Sequence, residues 1–184
     1  GPLSPGRWHP EMLGTDVDWF VRKMPCEVAF FAPHAADGRA EALREIVVLL
    51  PRAPYGPMKA FVADALALAH DARIRFLTAM GPEGSEDEVD TVQAFHDRLA
   101  DHCDSPTSSQ IIRTEDLTAG LVEATGDADL AVVGTMARSR LRDLFFPNRT
   151  TDLLTALPCD VLLVRPQRPR ENTPFRRLIE RAVF

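Results

Sequence analysis

Glu45-Ile46-Val47-Val48-Leu49-Leu50 is unbroken apolar sequence after its first residue, the pattern of a strand covered on both faces and not of one that alternates between core and water. It predicts a central strand of a parallel sheet. The chain then runs through Pro51-Arg52-Ala53-Pro54-Tyr55-Gly56-Pro57, a stretch of residues that punctuate regular structure. Beyond it Met58, Phe61, Val62, Ala65, Leu66 and Ala69 recur at steps of three and four, which predicts a helix with these six residues on its buried face.

The alternation continues downstream. Arg73 to Ala79 reads as a second strand, and Ser85 with Glu88 has the spacing of a capping box that opens a helix sharing Val89, Val92, Phe95, Leu99 and Cys103 on one face. Ser109 to Arg113 is a short third strand, and Thr114 is the expected N-cap of a helix carrying Leu117, Leu121 and Val122. Asp129 to Val133 is a fourth buried strand. An irregular segment over 134–147, a helix near Asn148 to Leu157 and a strand at Asp160 to Val164 complete the series. Strands that alternate with helices through right-handed crossovers imply an α/β fold, a doubly wound, Rossmann-like sheet of five parallel strands.

Composition excludes several classes of function. Hydrophobic residues make up 45% and charged residues 26% of the 184, enough apolar material for one core and too short a chain for two ordinary domains. The net charge of −6 is spread along the chain without a basic run, so nucleic acid is not an expected partner. Cys26, Cys103 and Cys159 have no C-x-x-C spacing, which argues against a disulfide framework or a zinc site and fits a reducing, cytoplasmic compartment. No apolar stretch approaches the ~18 residues of a membrane span.

Two appendages flank the core. Gly1-Pro2-Leu3-Ser4 reads as the remnant of a protease-cleavage site, so residues 1–8 are set aside as scar and leader. Residues 9–40 repeat the end of the core: Pro25-Cys26-Glu27-Val28-Ala29-Phe30-Phe31 aligns with Pro158-Cys159-Asp160-Val161-Leu162-Leu163-Val164, and Trp19-Phe20-Val21 falls on Asp152-Leu153-Leu154 at the same offset. That offset is about one domain long, so this segment is expected to be the last helix and strand of a preceding similar unit. Chance similarity of a short proline-plus-strand pattern is the alternative. At the other end Phe175, Leu178, Ile179 and Val183 have helical spacing, and 168–184 is expected to be a tail helix.

The run from Asp129-Leu-Ala-Val-Val-Gly134 to Asp143-Leu144, continued by Ala156-Leu-Pro-Cys-Asp-Val-Leu-Leu-Val-Arg-Pro166, resembles the C-terminal half of the universal stress protein family. The resemblance spans about 41–167 and is weaker upstream. It implies a five-stranded sheet in order 3-2-1-4-5. In that family the loop after the fourth strand reads G-x2-G-x9-G-[S/T], and its backbone amides cradle the phosphates of ATP, which needs glycines because side chains would block the approach. Here Gly134 fills the first position, but Ala137, Pro147 and Asn148 stand at the others, and Pro147 lacks an N–H. ATP binders of the family resemble V-D-G-S at the first strand, whereas Leu49-Leu50-Pro51-Arg52-Ala53-Pro54 holds no Asp. The ATP site is therefore read as degenerate.

The residues expected around any surviving adenine-nucleotide site are Leu49, Pro51, Arg52, Gly134, Thr135, Ala137, Arg138, Arg140, Asn148 and Arg149, with the guanidinium groups, Arg142 among them, as anion donors. The same arginines could instead line a solvated helix face and pair with Asp143 and Asp152. His96, His102 and Cys103 lie at steps of six and one, unlike helical metal ligands, so they are expected to be surface histidines and a core cysteine. Acidic 83–90 lacks the oxygen pattern of a calcium loop and reads as a solvated helix start. No G-x-S-x-G elbow is present.

No enzymatic activity is expected. The first functional expectation is a non-catalytic cytosolic regulatory domain, part of a membrane transporter, with weak or no ATP binding. The alternative is a free homodimer that binds ATP, AMP or a cyclic dinucleotide, and a third is a scaffold that only associates with other chains. Members of the resembled family pair through the edge strand at the end of the sheet. Here Cys26 to Ala32 is expected to do this within the chain, antiparallel to Val161–Val164, covering an otherwise open edge.

Overall fold

The computed structural model describes residues 28–34, 42–50, 57–134 and 153–165. Six strands form one sheet: β1 (Val28–Ala32), β2 (Glu45–Leu49), β3 (Arg73–Met80), β4 (Thr107–Arg113), β5 (Leu130–Gly134) and β6 (Asp160–Arg165). Their spatial order is β1-β6-β5-β2-β3-β4. The pairs β2–β3, β2–β5, β3–β4 and β5–β6 are parallel, so the five core strands have the expected order with β2 at the centre. Among the described residues three helices connect them, α1 (Pro57–His70), α2 (Glu86–Ala100) and α3 (Leu117–Ala124), with a further helical segment over 153–156.

The run that opens the sheet behaves as its composition requires. Every residue of β2 is buried, and its side chains divide by parity: Ile46 and Val48 enter the core beneath α1 and α2, Val47 and Leu49 the core beneath Leu153, Leu154 and Leu157. Helical layers cover both faces, which is the doubly wound arrangement. Ser85 and Glu88 close the capping box, with the Glu88 amide 3.2 Å from Ser85 Oγ and the Ser85 amide 3.1 Å from Glu88 Oε2.

The N-terminal strand pairs with the sheet edge as expected. β1 runs antiparallel to β6, with Val28 opposite Arg165 and Ala32 opposite Val161. Asp160 fastens its end, Oδ1 accepting from the His34 amide at 2.6 Å. Ala32 is buried, whereas Phe31 is 60% exposed.

Several local expectations are corrected. The buried face of α1 is Lys59, Ala60, Ala63, Asp64 and Ala67, while Phe61 is 48% exposed and Ala65 and Ala69 are exposed. Alanines let the helix lie close on the sheet, and the bulkier residues go to its flanks. The N-cap of α3 is Asp116, which accepts from the Thr118 and Ala119 amides at 2.9 and 3.1 Å. Thr114 instead donates its hydroxyl to the Asp116 carbonyl. β4 begins at Thr107, two residues ahead of the predicted start, and β3 runs to Met80. The helix and strand around Trp19 to Cys26 and the tail over 168–184 lie outside the described residues.

Candidate functional site

In a doubly wound sheet the connections leave the central strands in opposite directions, and the carboxyl ends of those strands enclose a crevice. Here the two strands are β2, whose chain proceeds through α1 to β3, and β5, whose chain proceeds to β6 on the other side. They pair with Val48 beside Val132, so Leu49 and Gly134 close the two strands at that crevice. Of the ten expected site residues these two are described. Pro51, Arg52, Thr135, Ala137, Arg138, Arg140, Asn148 and Arg149 lie outside the described residues, as does Arg142.

A side chain not singled out in the sequence joins the two strand ends. Lys59, in the first turn of α1, is 6% exposed. Its Nζ donates to the Leu49 carbonyl, and its stem lies over Gly134, where a Cβ would stand 3.1 Å from Cδ and 3.3 Å from Cε. The bare backbone of Gly134 thus makes room for the lysine. Burial pushes the Lys59 amine down from its ordinary 10.5 to about 8. The signal available beforehand was a lysine one step from a helix's apolar residues, which reads equally as a snorkelling surface side chain.

The next carbonyl of the same strand end is also taken by a side chain. Thr78 Oγ1 donates to the Leu50 carbonyl at 3.1 Å and lies 2.9 Å from His96 Nε2. His96 Nδ1 lies 2.6 Å from Ser109 Oγ, which is itself 3.0 Å from Gln93 Oε1. His96 is fully buried beside Phe76 and Phe95, which corrects its expected surface position. Burial holds its pKa down at about 4, so the ring is neutral at pH 7 with a partner on each nitrogen. A histidine on an otherwise apolar helix face carries no sequence mark of such a role.

His102 is exposed, and Cys103 is half-buried with its thiol bonded to the Leu99 carbonyl at 3.3 Å. Among the described residues no group of three His, Cys, Asp or Glu could hold a metal ion. In the acidic segment Glu86 pairs with Arg113, in keeping with a solvated helix start. At the opposite end of the sheet buried Glu45 accepts from Arg73 and Arg75, and Arg75 also reaches Asp127 at 2.5 Å. That charge is neutralised locally and far from the crevice.

Solved structures share this architecture. A universal stress protein crystallised in complex with cAMP is 21% identical, with a TM-score of 0.54 over 68% of this chain and 98% of its own. The chain has the universal stress protein fold. The Archaeoglobus fulgidus universal stress protein in complex with dAMP is 10% identical, with a TM-score of 0.53 over 67% of this chain and 99% of its own. Another universal stress protein from the same organism, 8% identical with a TM-score of 0.55, covers 79% of this chain and is matched over 51% of its own length. No family model matches the chain, and no curated relative does. Among the described residues no helix is long and apolar enough to cross a membrane.

Proposed function

We propose that this chain is a non-catalytic regulatory domain of universal stress protein type that senses an adenine mononucleotide at the β2/β5 crevice. The observation that carries the reading is the meeting of Leu49 and Gly134 across Lys59, at the switch point of a fold whose solved representatives include cAMP and dAMP complexes. Ala137, Pro147 and Asn148 stand where the resembled loop offers amides to a triphosphate, so mononucleotides are favoured over ATP. The described thiols do not support nucleophilic chemistry, because burial pushes both Cys103 and Cys159 up to about 11. Calorimetry of the folded chain with AMP, cAMP, ATP and a cyclic dinucleotide tests the reading. Heat with the mononucleotides and no ADP release from ATP is expected, and silence from all four at millimolar concentration overturns it.

A second reading concerns context, and the β1–β6 ladder favours it. Members of the family pair through the edge that β1 occupies here, so the domain is better suited to work inside a larger assembly than as a homodimer through that edge. We propose that this assembly is a membrane transporter, with the chain as its cytosolic regulatory domain. Transport by the intact parent that is indifferent to deletion of 41–184 would rule this out.

A further inference from the structure

Among the described residues the buried charges are matched, with one exception. Glu45 has Arg73 and Arg75, and the Asp64 carboxylate accepts from the Ser105 amide at 3.0 Å and the Asp104 amide at 3.3 Å. Lys59 has no carboxylate among the described residues, and the Leu49 carbonyl is its one acceptor there. An ammonium has three donors, and the described residues use one of them. A buried cation without a counter-charge is strongly unfavourable, and more so in the first turn of a helix, where the backbone already presents its positive pole. Both costs fall together when an anion enters.

We propose that Lys59 is the anion anchor of the β2/β5 crevice, binding the phosphate of a mononucleotide with its ammonium and with the first-turn amides of α1. The proposal rests on the nucleotide reading above and adds to it which group holds the charge. In the resembled loop, glycine-rich backbone surrounds a polyphosphate. In this chain a single side chain reaches the same crevice from the helix that follows the first core strand, and a point charge suits one phosphate. Pro57 at the start of α1 has no N–H to offer, so Lys59 also compensates for a missing donor at that helix end.

Lys23 and Lys59 are the only lysines of the chain, so the Lys59 side-chain resonance can be assigned in lysine-labelled protein by comparison with Lys59→Met. The full chain is titrated with inorganic phosphate, AMP, cAMP and adenosine, in wild-type, Lys59→Met and Lys59→Arg forms. We expect AMP and cAMP to move the Lys59 resonance and adenosine to leave it in place. Loss of a charge-assisted contact corresponds to roughly tenfold to hundredfold weaker AMP binding in Lys59→Met, with adenosine affinity unchanged and partial recovery in Lys59→Arg.

AMP bound equally by wild type and Lys59→Met, or a Lys59 resonance that ignores saturating AMP, overturns the anchor and leaves the nucleotide reading standing. Phosphate that moves Lys59 in a protein that binds no nucleoside or nucleotide supports the anchor and removes the nucleotide reading. A Lys59 resonance unmoved by phosphate and by every nucleotide overturns the anchor.

Discussion

Replacing Lys59 with methionine should stabilise the protein, although it removes a hydrogen bond. Methionine is unbranched and of similar length, so it can follow the lysine stem over Gly134. The drop from 10.5 to about 8 means that burying the ammonium costs about 3 kcal/mol at pH 7, at 1.36 kcal/mol per unit. Against this stands the Leu49 carbonyl, left without its donor, at about 1–2 kcal/mol. The balance is about 1–2 kcal/mol in favour of the variant, a rise of about 3–6 °C in melting temperature for a chain of this size. The sign reverses with pH. The folded state holds this proton less tightly than the unfolded chain, so the full cost of Lys59 is present and constant below pH 8, and wild-type stability rises between pH 8 and 10.5. Urea unfolding of both proteins at pH 7, 8, 9 and 10 isolates the effect, because other titrations cancel in the difference. A variant less stable by more than about 1 kcal/mol at pH 7, or a difference that stays flat to pH 10, refutes the unpaired buried ammonium.

Three further outcomes follow from other contacts. His96 has its pKa held at about 4, so its stabilising contribution is complete above pH 6.5 and is lost as the pH falls through 4; chemical unfolding should show about 3 kcal/mol of acid sensitivity that His96→Gln lacks, and an identical acid limb in the variant would contradict this. Ser85→Ala removes the acceptor of the Glu88 amide and should cost about 1 kcal/mol in urea unfolding; a change below about 0.3 kcal/mol would mean that the cap is dispensable. Deleting residues 1–34 removes β1 and bares the β6 edge, so light scattering should register self-association; a stable monomer would show that the edge needs no cover.

The strands and the capping box were legible in the sequence because each depends on neighbours along the chain, whereas the strand order came from the resemblance to the universal stress protein family. Glu45 to Leu50 declares a strand covered on both faces and Ser85 and Glu88 a helix start, while the antiparallel partner of β6 was implied by the edge pairing of the resembled family. Local chemistry also misled: Thr114 and Asp116 are both competent caps, and the Asp116 side chain was the one placed to reach the Thr118 and Ala119 amides. The inner face of α1 could not be read from hydrophobicity, since a helix that must lie close on a sheet turns its alanines inward, whatever the spacing of its larger residues. Lys59 and His96 depended on tertiary structure altogether. A lysine or histidine on a helix is equally at home in water, and only the meeting of α1 with the ends of β2 and β5, and of α2 with β3 and β4, supplies the carbonyl and hydroxyl partners that hold them inside.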